Sequence, residues 1–110
     1  MATKDPREPF YRITAAEAKE KIENGNVQVI DVRTPGEYAG GHVPDAINIP
    51  HMAVLPRSGE HARDKELVFI CQTGQRSALA CEFAASAKFT DLFNVEGGTE
   101  AWIKAGLPVE

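Results

Sequence analysis

The chain has 110 residues, of which 43% are hydrophobic and 25% charged, and its formal net charge is −4 at pH 7. The length suits one domain with a single core, and the composition is that of an ordinary globular protein. The acidic balance argues against a nucleic-acid partner, and the lack of a long apolar run argues against a membrane partner. Two cysteines are too few for a disulfide framework, so we expect a reducing, cytoplasmic environment.

The N-terminal end differs in character from the rest of the chain. Residues 1–9 contain two prolines and charges of both signs, which predicts a flexible arm. The arm lacks the apolar segment of a signal peptide. The rest of the chain contains no internal repeat and no low-complexity tract, so we predict a single domain at residues 10–110.

Extended and helical patterns alternate along this domain. Strands are predicted at residues 10–13, 27–31, 46–49, 67–70 and 91–95. Helical segments are predicted from Thr14 to about Asn24, at residues 34–37, at residues 77–87 and at residues 99–105. Thr14 and Glu17 have the spacing of a capping box, and residues 51–64 predict a short helical piece and a loop. Strands that alternate with helices predict an α/β fold with a mainly parallel sheet.

Cys71 follows the apolar strand predicted at residues 67–70 and precedes a predicted helix. Ligand sites in parallel sheets lie beyond the carboxyl ends of the strands. We expect the loop after Cys71 to turn its backbone N–H groups toward the sulfur, with Gly74 at a positive φ and the helix dipole adding to the potential. Cys71 is therefore predicted to be a thiolate near neutral pH, and Arg76 to present a positive charge to an anionic substrate. A cysteine that only packs would need no such loop.

Three stretches resemble the signatures of rhodanese-like domains. They are DVRTPGEYAGGHVPDAINIP at residues 31–50, CQTGQRS at residues 71–77 and VEGGTEAWIKAGLP at residues 95–108. The resemblance covers almost all of residues 10–110. It implies a three-layer α/β/α fold with a central five-stranded parallel sheet, and thiosulfate sulfurtransferase activity. The chain departs from the family at Lys88-Phe89, where glycine is common after the long helix, and this predicts a different helix end.

The resemblance implies that Cys71 is the sulfur-accepting catalytic residue. The substrate-binding loop would comprise Gln72, Thr73, Gly74, Gln75 and Arg76. In the inferred reaction the Cys71 thiolate takes the outer sulfur of thiosulfate or a similar small anionic donor, and a nucleophile such as cyanide or a thiol removes it. No cofactor is expected, and no metal, because the cysteines and histidines lack ligand spacing.

Two other functions remain open at this point. A phosphatase or arsenate reductase uses a related loop, but with five residues between cysteine and arginine, whereas four separate Cys71 from Arg76. A tighter ring suits a single sulfur better than a tetrahedral oxyanion. The other alternative is a persulfide carrier or regulatory module that passes sulfur to a protein acceptor.

Five further residues have predicted roles. Asp31 and Arg33 end a strand at the same edge and are possible borders of the site, although an ion pair that braces the neighbouring loops is favoured over substrate contact. His42 is predicted to make a structural hydrogen bond, and Trp102 to lie in the core. Cys81 lies ten residues after Cys71 on an apolar helix, so packing is favoured over a resolving thiol.

Several cationic side chains fall in the irregular segment before the fourth strand. They are His51, Arg57, His61 and Arg63. The sequence allows a cationic rim for an anionic donor, and it equally allows a solvated loop face.

Overall fold

The computed structural model describes residues 2–110, so Met1, the first residue of the predicted arm, lies outside the described residues. The strands are β1 (Tyr11–Ile13), β2 (Val27–Asp31), β3 (Ile47–Asn48), β4 (Glu66–Ile70) and β5 (Leu92–Val95). The helices are α1 (Ala15–Asn24), α2 (Pro35–Ala39), α3 (Gln75–Ser86) and α4 (Gly98–Lys104). The strands form one five-stranded parallel sheet in the order β1-β5-β4-β2-β3, which confirms the predicted fold.

Two capping boxes fix the start of helices α1 and α2. The Thr14 hydroxyl accepts from the Glu17 N–H at 3.1 Å, and the Glu17 carboxylate accepts from the Thr14 N–H at 2.8 Å. Thr34 and Glu37 repeat this arrangement at α2, where Pro35 occupies the first turn. The capping box predicted at Thr14 is confirmed. Each box satisfies N–H groups that the first helical turn would otherwise leave unpaired.

Hydrophobic side chains cover both faces of the sheet. Along β4, Leu67 and Phe69 pack on the face that α3 covers, together with Ala80 and Cys81. Their neighbours Val68 and Ile70 point to the opposite face, where they join the cluster of α1 and α4 that includes the buried Trp102. A strand buried on both faces requires a continuous apolar run, which is the pattern predicted for β4. The result is a three-layer α/β/α domain.

The parallel arrangement brings the carboxyl ends of the strands to one edge. Strand β2 ends at Asp31 and its neighbour β4 ends at Ile70, and the Val32 N–H donates to the Ile70 carbonyl at 2.9 Å. Cys71 therefore leaves the sheet beside the segment that follows β2. Helix α3 begins at Gln75, two residues before its predicted start, because Gly74 already occupies the N-cap position. None of the helices in the described part of the chain has the length and apolar character needed to cross a membrane.

The outer side of β1 is covered by the N-terminal arm. Thr3 and Arg12 form an isolated antiparallel bridge in which each N–H donates to the other residue's carbonyl, at 2.9 and 2.6 Å. The Arg12 guanidinium also donates to the Glu8 carboxylate. The arm thus lies along the edge of the sheet.

The end of α3 differs from expectation. The Phe89 N–H donates to the Ala84 carbonyl at 3.2 Å and the Lys88 N–H to the Ala85 carbonyl at 3.0 Å, which is the pattern of a Schellman cap. Lys88 adopts the left-handed conformation, with φ of 76°. The expectation of a different helix end is therefore wrong, because lysine takes the strained conformation itself. The burial of Phe89 accompanies this turn.

The cationic side chains before β4 do not form one rim. His61 is buried and its ring contacts Phe69 and Phe89, while its Nε2 lies 3.1 Å from the Val54 carbonyl oxygen. Arg57 pairs with Glu60 on the surface. The guanidinium of Arg63 lies 4.0 Å from the ring centroid of Phe89, which follows the far end of α3. Of the two interpretations that the sequence allowed, the structure does not bear out the cationic rim, because His61 packs in the core while Arg57 and Arg63 make local contacts at the surface.

His61 gives the fold a pH dependence. Burial lowers the pKa of His61 from its ordinary value of 6.5, although the Val54 carbonyl and Glu60 act in the opposite direction. As the pH falls below 6.5, His61 binds a proton in the unfolded chain more readily than in the folded chain. The free energy of unfolding should therefore decrease as the pH falls. Urea unfolding at a series of pH values between 7.5 and 5 measures this slope. His61→Gln should flatten the slope, whereas His51→Gln should leave it as in the parent; equal slopes in all three proteins would contradict the assignment.

Candidate active site

Cys71 lies at the centre of a short loop between β4 and α3. The Gly74 N–H donates to the Cys71 Sγ at 3.0 Å, and the Ser77 Oγ lies 3.3 Å from the same sulfur. Burial of the sulfur raises the pKa of the Cys71 thiol, but the Ser77 hydroxyl and the backbone N–H groups of Ser77, Gly74 and Thr73 outweigh it. The net pKa lies below the ordinary value. Stabilisation of a thiolate by such donors is what makes a cysteine nucleophilic near neutral pH.

The backbone of the loop has the shape that these contacts require. Gly74 adopts a φ of 113°, a backbone conformation that residues with a Cβ rarely adopt. This conformation turns its N–H back toward the Cys71 sulfur. Gly74 is also the N-cap of α3, so the positive end of the helix dipole lies at the sulfur. The side chain of Cys71 is only 1% exposed. The sulfur therefore lies at the bottom of a narrow ring.

Helix α4 holds this loop from behind. The Thr99 N–H and hydroxyl both donate to the Cys71 carbonyl, at 2.8 and 3.0 Å, and the Glu100 N–H donates to the Gln72 carbonyl at 3.2 Å. A Cβ added at Gly98 would lie 2.4 Å from the Cys71 carbonyl oxygen, closer than atoms can approach. The turn predicted at Gly97-Gly98 is thus a close contact between α4 and the candidate loop.

Arg33 connects the loop to the end of β2. It forms a buried ion pair with Asp31, with its Nη2 2.8 Å from the carboxylate, and both side chains are nearly inaccessible to solvent. The same Nη2 donates to the Gly41 carbonyl at 2.7 Å, and Nη1 donates to the Gln72 Oε1 at 3.3 Å. The predicted ion pair is confirmed, and it borders the candidate loop through Gln72. Neighbouring His42 makes the predicted structural hydrogen bond, from Nδ1 to the Tyr38 carbonyl at 3.0 Å.

The guanidinium of Arg76 forms a bidentate pair with Glu37 of α2. Its two terminal nitrogens lie 2.8 and 3.0 Å from the carboxylate oxygens, and both side chains are about one-third exposed. Hydrogen bonds from Arg76 and from the Thr34 N–H lower the pKa of Glu37 to about 2. The carboxylate is therefore ionised at any physiological pH. Arg76, predicted to offer its charge to an anionic substrate, has that charge balanced by Glu37.

The remaining loop side chains also have partners within the chain. Gln72 accepts from Arg33 and donates from Nε2 to the Glu100 carboxylate at 3.2 Å. The Thr73 hydroxyl donates to the Gln75 side chain. Backbone N–H groups and Ser77, rather than these side chains, face the sulfur.

The sequence profile of the rhodanese-like domain matches residues 14–105 of this chain. The chain belongs to the rhodanese-like domain family. A sulfurtransferase of Allochromatium vinosum is 36% identical to it over 84 residues, which cover 76% of this chain and 78% of that protein. The crystal structure of a rhodanese-related protein from Thermoplasma volcanium superposes with a TM-score of 0.81 at 38% identity, covering 90% of this chain and 96% of the other.

A third similar protein is described by a different activity from the first two. A Rhodopseudomonas palustris protein of unknown function, described as a possible tyrosine phosphatase, matches with a TM-score of 0.80 at 27% identity. The match covers 100% of this chain and 99% of the other. The fold of this chain is therefore similar both to a rhodanese-related protein and to a protein described as a possible phosphatase.

Four polar residues of this rhodanese-like domain escaped the sequence analysis. They are Glu37, Ser77, Asn94 and Thr99. Asn94 had a signal, because it is a polar residue in a strand that is otherwise apolar and fully buried. Ser77 had one as well, since it directly follows the predicted loop on the buried side of the helix. The contact between Ser77 and Asn94 joins residues 17 apart in the chain, which is why no local pattern reveals it.

The second cysteine of the rhodanese-like domain lies away from this chemistry. Cys81 is fully buried in the core beneath α3, and burial raises its pKa well above the ordinary value. Neither cysteine forms a disulfide. Predicted packing of Cys81 is thereby confirmed. Within residues 2–110, His, Cys, Asp and Glu side chains form no group of three or more suited to a metal ion.

The contact at Gly98 yields a direct test of how the loop is held. Gly98→Ala should push the Cys71–Gln72 backbone out of place, so cysteine reactivity should fall and the protein should lose stability. Gly106→Ala is the matched control, because Gly106 also has a positive φ but has nothing within 4 Å of an added Cβ. The control should cost only the strain of the left-handed conformation, roughly 1–2 kcal/mol. Thermal unfolding and thiol alkylation measure both effects, and equal losses in the two variants would contradict the role of the close contact.

Proposed function

We propose that this protein is a sulfurtransferase that moves a sulfane sulfur from thiosulfate, or a similar small anionic donor, to cyanide or a thiol through a persulfide on Cys71. The single observation that carries the proposal is the ring of donors around the Cys71 sulfur, formed by Gly74, Ser77 and the start of α3. Such a ring favours a thiolate before the donor arrives, and no general base is then required. Membership of the rhodanese-like family supports the same reaction.

The proposed reaction has two half-reactions. In the first, the Cys71 thiolate attacks the outer sulfur of thiosulfate, and the sulfur–sulfur bond of the donor breaks with its electron pair leaving on sulfite. In the second, an acceptor nucleophile attacks the terminal sulfur of the persulfide, and the Cys71 thiolate is the leaving group. The backbone N–H groups of the loop stabilise the anion in both states. Covalent transfer in two steps gives ping-pong kinetics.

The geometry of the ring favours sulfur over phosphorus as the reacting atom. The ring is closed by four residues between Cys71 and Arg76, and the sulfur at its bottom is almost inaccessible. A divalent sulfur atom at the end of a donor can enter such a ring, whereas a tetrahedral phosphate needs room for several oxygens. The arginine that would bind those oxygens is already paired with Glu37. A phosphatase or arsenate reductase is therefore disfavoured.

A persulfide carrier is the second candidate, and one observation favours it. The loop side chains of Gln72, Thr73, Gln75 and Arg76 all have partners within the chain. The backbone N–H groups of the loop would therefore bind the transferred sulfur, and the loop side chains would contribute little to binding the rest of the donor. A protein that delivers or receives the sulfur would supply that recognition from its own surface.

Mass spectrometry after thiosulfate treatment tests the proposal. We expect an adduct of roughly 32 Da, one sulfur atom, on the peptide that contains Cys71. Cys71→Ser should abolish the adduct and the turnover of thiosulfate with cyanide, whereas Cys81→Ala should retain both, because Cys81 is buried away from the loop. An active Cys71→Ser variant would overturn the assignment.

The same proteins separate the candidate functions. Saturable ping-pong turnover with thiosulfate and cyanide supports the enzyme. An adduct that forms but is discharged only by a protein thiol supports the carrier. Hydrolysis of p-nitrophenyl phosphate that is lost in Cys71→Ser would overturn both in favour of a phosphatase.

The Arg76–Glu37 pair predicts opposite effects on the loading half-reaction. Glu37→Gln removes the balancing charge, so the full positive charge of Arg76 should attract dianionic thiosulfate and speed loading. Arg76→Ala leaves Glu37 unpaired at the rim and should slow loading. Partly exposed ion pairs are worth roughly 0.2–1 kcal/mol, so each change should be about fivefold at most. Rapid-mixing measurements of persulfide formation at low and high salt follow the effect.

The alternative is that the pair only braces α2 against α3. Both substitutions would then lower the loading rate in parallel, and salt would have little influence. Conservative Arg76→Lys keeps the charge but loses the bidentate geometry, so it should remain closer to the parent than Arg76→Ala if charge is what matters.

A further inference from the structure

Behind the Cys71 sulfur, Ser77 of the donor ring contacts a buried asparagine, Asn94, that the proposed chemistry has not used. Ser77 of α3 is 0% exposed and Asn94 of β5 is 1% exposed, and the Ser77 hydroxyl contacts the Asn94 Oδ1. Strand β5 is otherwise apolar, with Leu92, Phe93 and Val95 buried around the asparagine. An amide in such a place is costly unless its hydrogen bonds are satisfied. The hydrogen-bond partners of the Asn94 amide therefore indicate its role.

The orientation of the Asn94 amide is fixed by the loop. Its Nδ2 donates to the Gly74 carbonyl at 3.2 Å, and a reversed amide would place two acceptors face to face. Oδ1 consequently faces Ser77, and Ser77 is its only hydrogen-bond donor within residues 2–110.

The Ser77 hydroxyl has one proton and three acceptors within reach. The Asn94 Oδ1 is in close contact, and the Cys71 Sγ and the Gly74 carbonyl oxygen each lie 3.3 Å away. One proton cannot serve the sulfur and the amide fully at the same time. When it is directed to the sulfur, Oδ1 is left buried without a donor, which is unfavourable. The two acceptors therefore compete.

We propose that Asn94 is a positioning residue for sulfur transfer: its Oδ1 holds the Ser77 proton while the Cys71 sulfur is uncharged, and the proton turns to Sγ when that sulfur becomes an anion. This inference rests on Cys71 being the reacting group of the proposed function. Asn94 touches neither donor nor acceptor and acts through Ser77.

The hydroxyl turns twice in each catalytic cycle. In the thiolate, the Ser77 O–H donates to Sγ. After the thiolate attacks the outer sulfur of the donor, Sγ is a neutral sulfur within the persulfide, and the hydroxyl returns to Asn94. When an acceptor attacks the terminal sulfur, the bond to Sγ breaks with its electrons on Sγ, and the Ser77 O–H again donates to it. No proton leaves the serine in any of these steps.

The competition tunes the nucleophile rather than simply activating it. Asn94 makes the thiolate less favourable than a ring without a competing acceptor would make it. A thiol attacks best when its pKa lies near the ambient pH, because nucleophilicity falls as the thiolate becomes more stable. Asn94 thus preserves reactivity that full stabilisation of the anion would lose.

Other charged groups also face the ring and must be held constant in a test. They are Arg76 of α3 with its partner Glu37 of α2, the Asp31–Arg33 pair at the end of β2, Glu100 of α4, which reaches the loop through Gln72, and the Arg12–Glu96 pair, which lines a cleft beside Gly74 and Asn94. Substitution of Asn94 changes none of these charges. A shift in the titration of Cys71 therefore reports on the hydrogen bond and not on a new charge.

The experiment is the pH dependence of alkylation of the intact protein by iodoacetamide, a neutral reagent that reads the thiolate fraction. Asn94→Val removes the competing acceptor and suits a central strand. Below the midpoint we expect the thiolate fraction to rise about three- to tenfold, because the Ser77 proton then has no better acceptor than the sulfur. Since a more stable thiolate is a weaker nucleophile, alkylation at that pH should become about two- to fourfold faster. Ser77→Ala should slow alkylation. In the Ser77→Ala background, Asn94→Val should add nothing.

Two further proteins protect the test against a structural artefact. Val95→Ala truncates the buried neighbour of Asn94 that points to the other face of the sheet, and it should leave the alkylation profile unchanged. Asn94→Ala replaces the valine variant if thermal unfolding shows that the added bulk disrupts β5, and the same acceleration is expected.

Three results would overturn the inference. These are an unchanged profile in the Asn94 variants, slower alkylation in them at a pH below the midpoint, or an effect of equal size with and without Ser77. The last result would mean that Asn94 only supports the loop through Gly74. The assay uses no sulfur donor. If thiosulfate fails to load Cys71 while the alkylation cycle behaves as described, the proposed function fails and the role of Asn94 stands.

Discussion

The negative charge proposed for the Cys71 sulfur in its reactive form is the constraint on which the rest of this edge of the sheet depends. The sulfur is almost fully buried, so water cannot stabilise the anion and the protein must supply the donors. Gly74 and Ser77 supply them, and Thr99 holds the Cys71 carbonyl so that the ring keeps its shape. Arg33 fixes the loop from the side of β2. Each of these hydrogen bonds fixes the orientation of a backbone or side-chain group around the sulfur.

These polar contacts are built into a core that is otherwise apolar. The Asp31–Arg33 pair and the Ser77–Asn94 pair both replace what could have been packed aliphatic side chains. Substituting one partner would leave the other buried and unsatisfied, which typically costs about 1–3 kcal/mol for a neutral pair and about 3–5 kcal/mol for a buried ion pair. The domain thus has less apolar packing at the edge of the sheet where the proposed chemistry lies. Strand β4 and the faces below it compensate, because they are continuously hydrophobic.

Local patterns in the sequence were sufficient for the sheet, the capping box at Thr14 and the loop after Cys71. Each depends on residues within a few positions of one another, where spacing and residue type carry the information. The partners Arg76 and Glu37 are 39 residues apart, and Ser77 and Asn94 are 17 apart. Such pairs exist only once the sheet order is known. His61 was misjudged for a related reason, since its burial depends on Phe69 and Phe89 closing over it.

The bridge between Thr3 and Arg12 has a meaning for the behaviour of the protein at high concentration. Strand β1 is an edge of the sheet, and an open edge presents unpaired backbone groups on which a second molecule can add a strand. The arm occupies these groups at Arg12, and the opposite edge, β3, is only two residues long and is followed by Pro50. Neither side offers a long template for intermolecular strand addition. Protection of the two sheet edges therefore depends on the few residues that flank the sheet, independently of the chemistry proposed at Cys71.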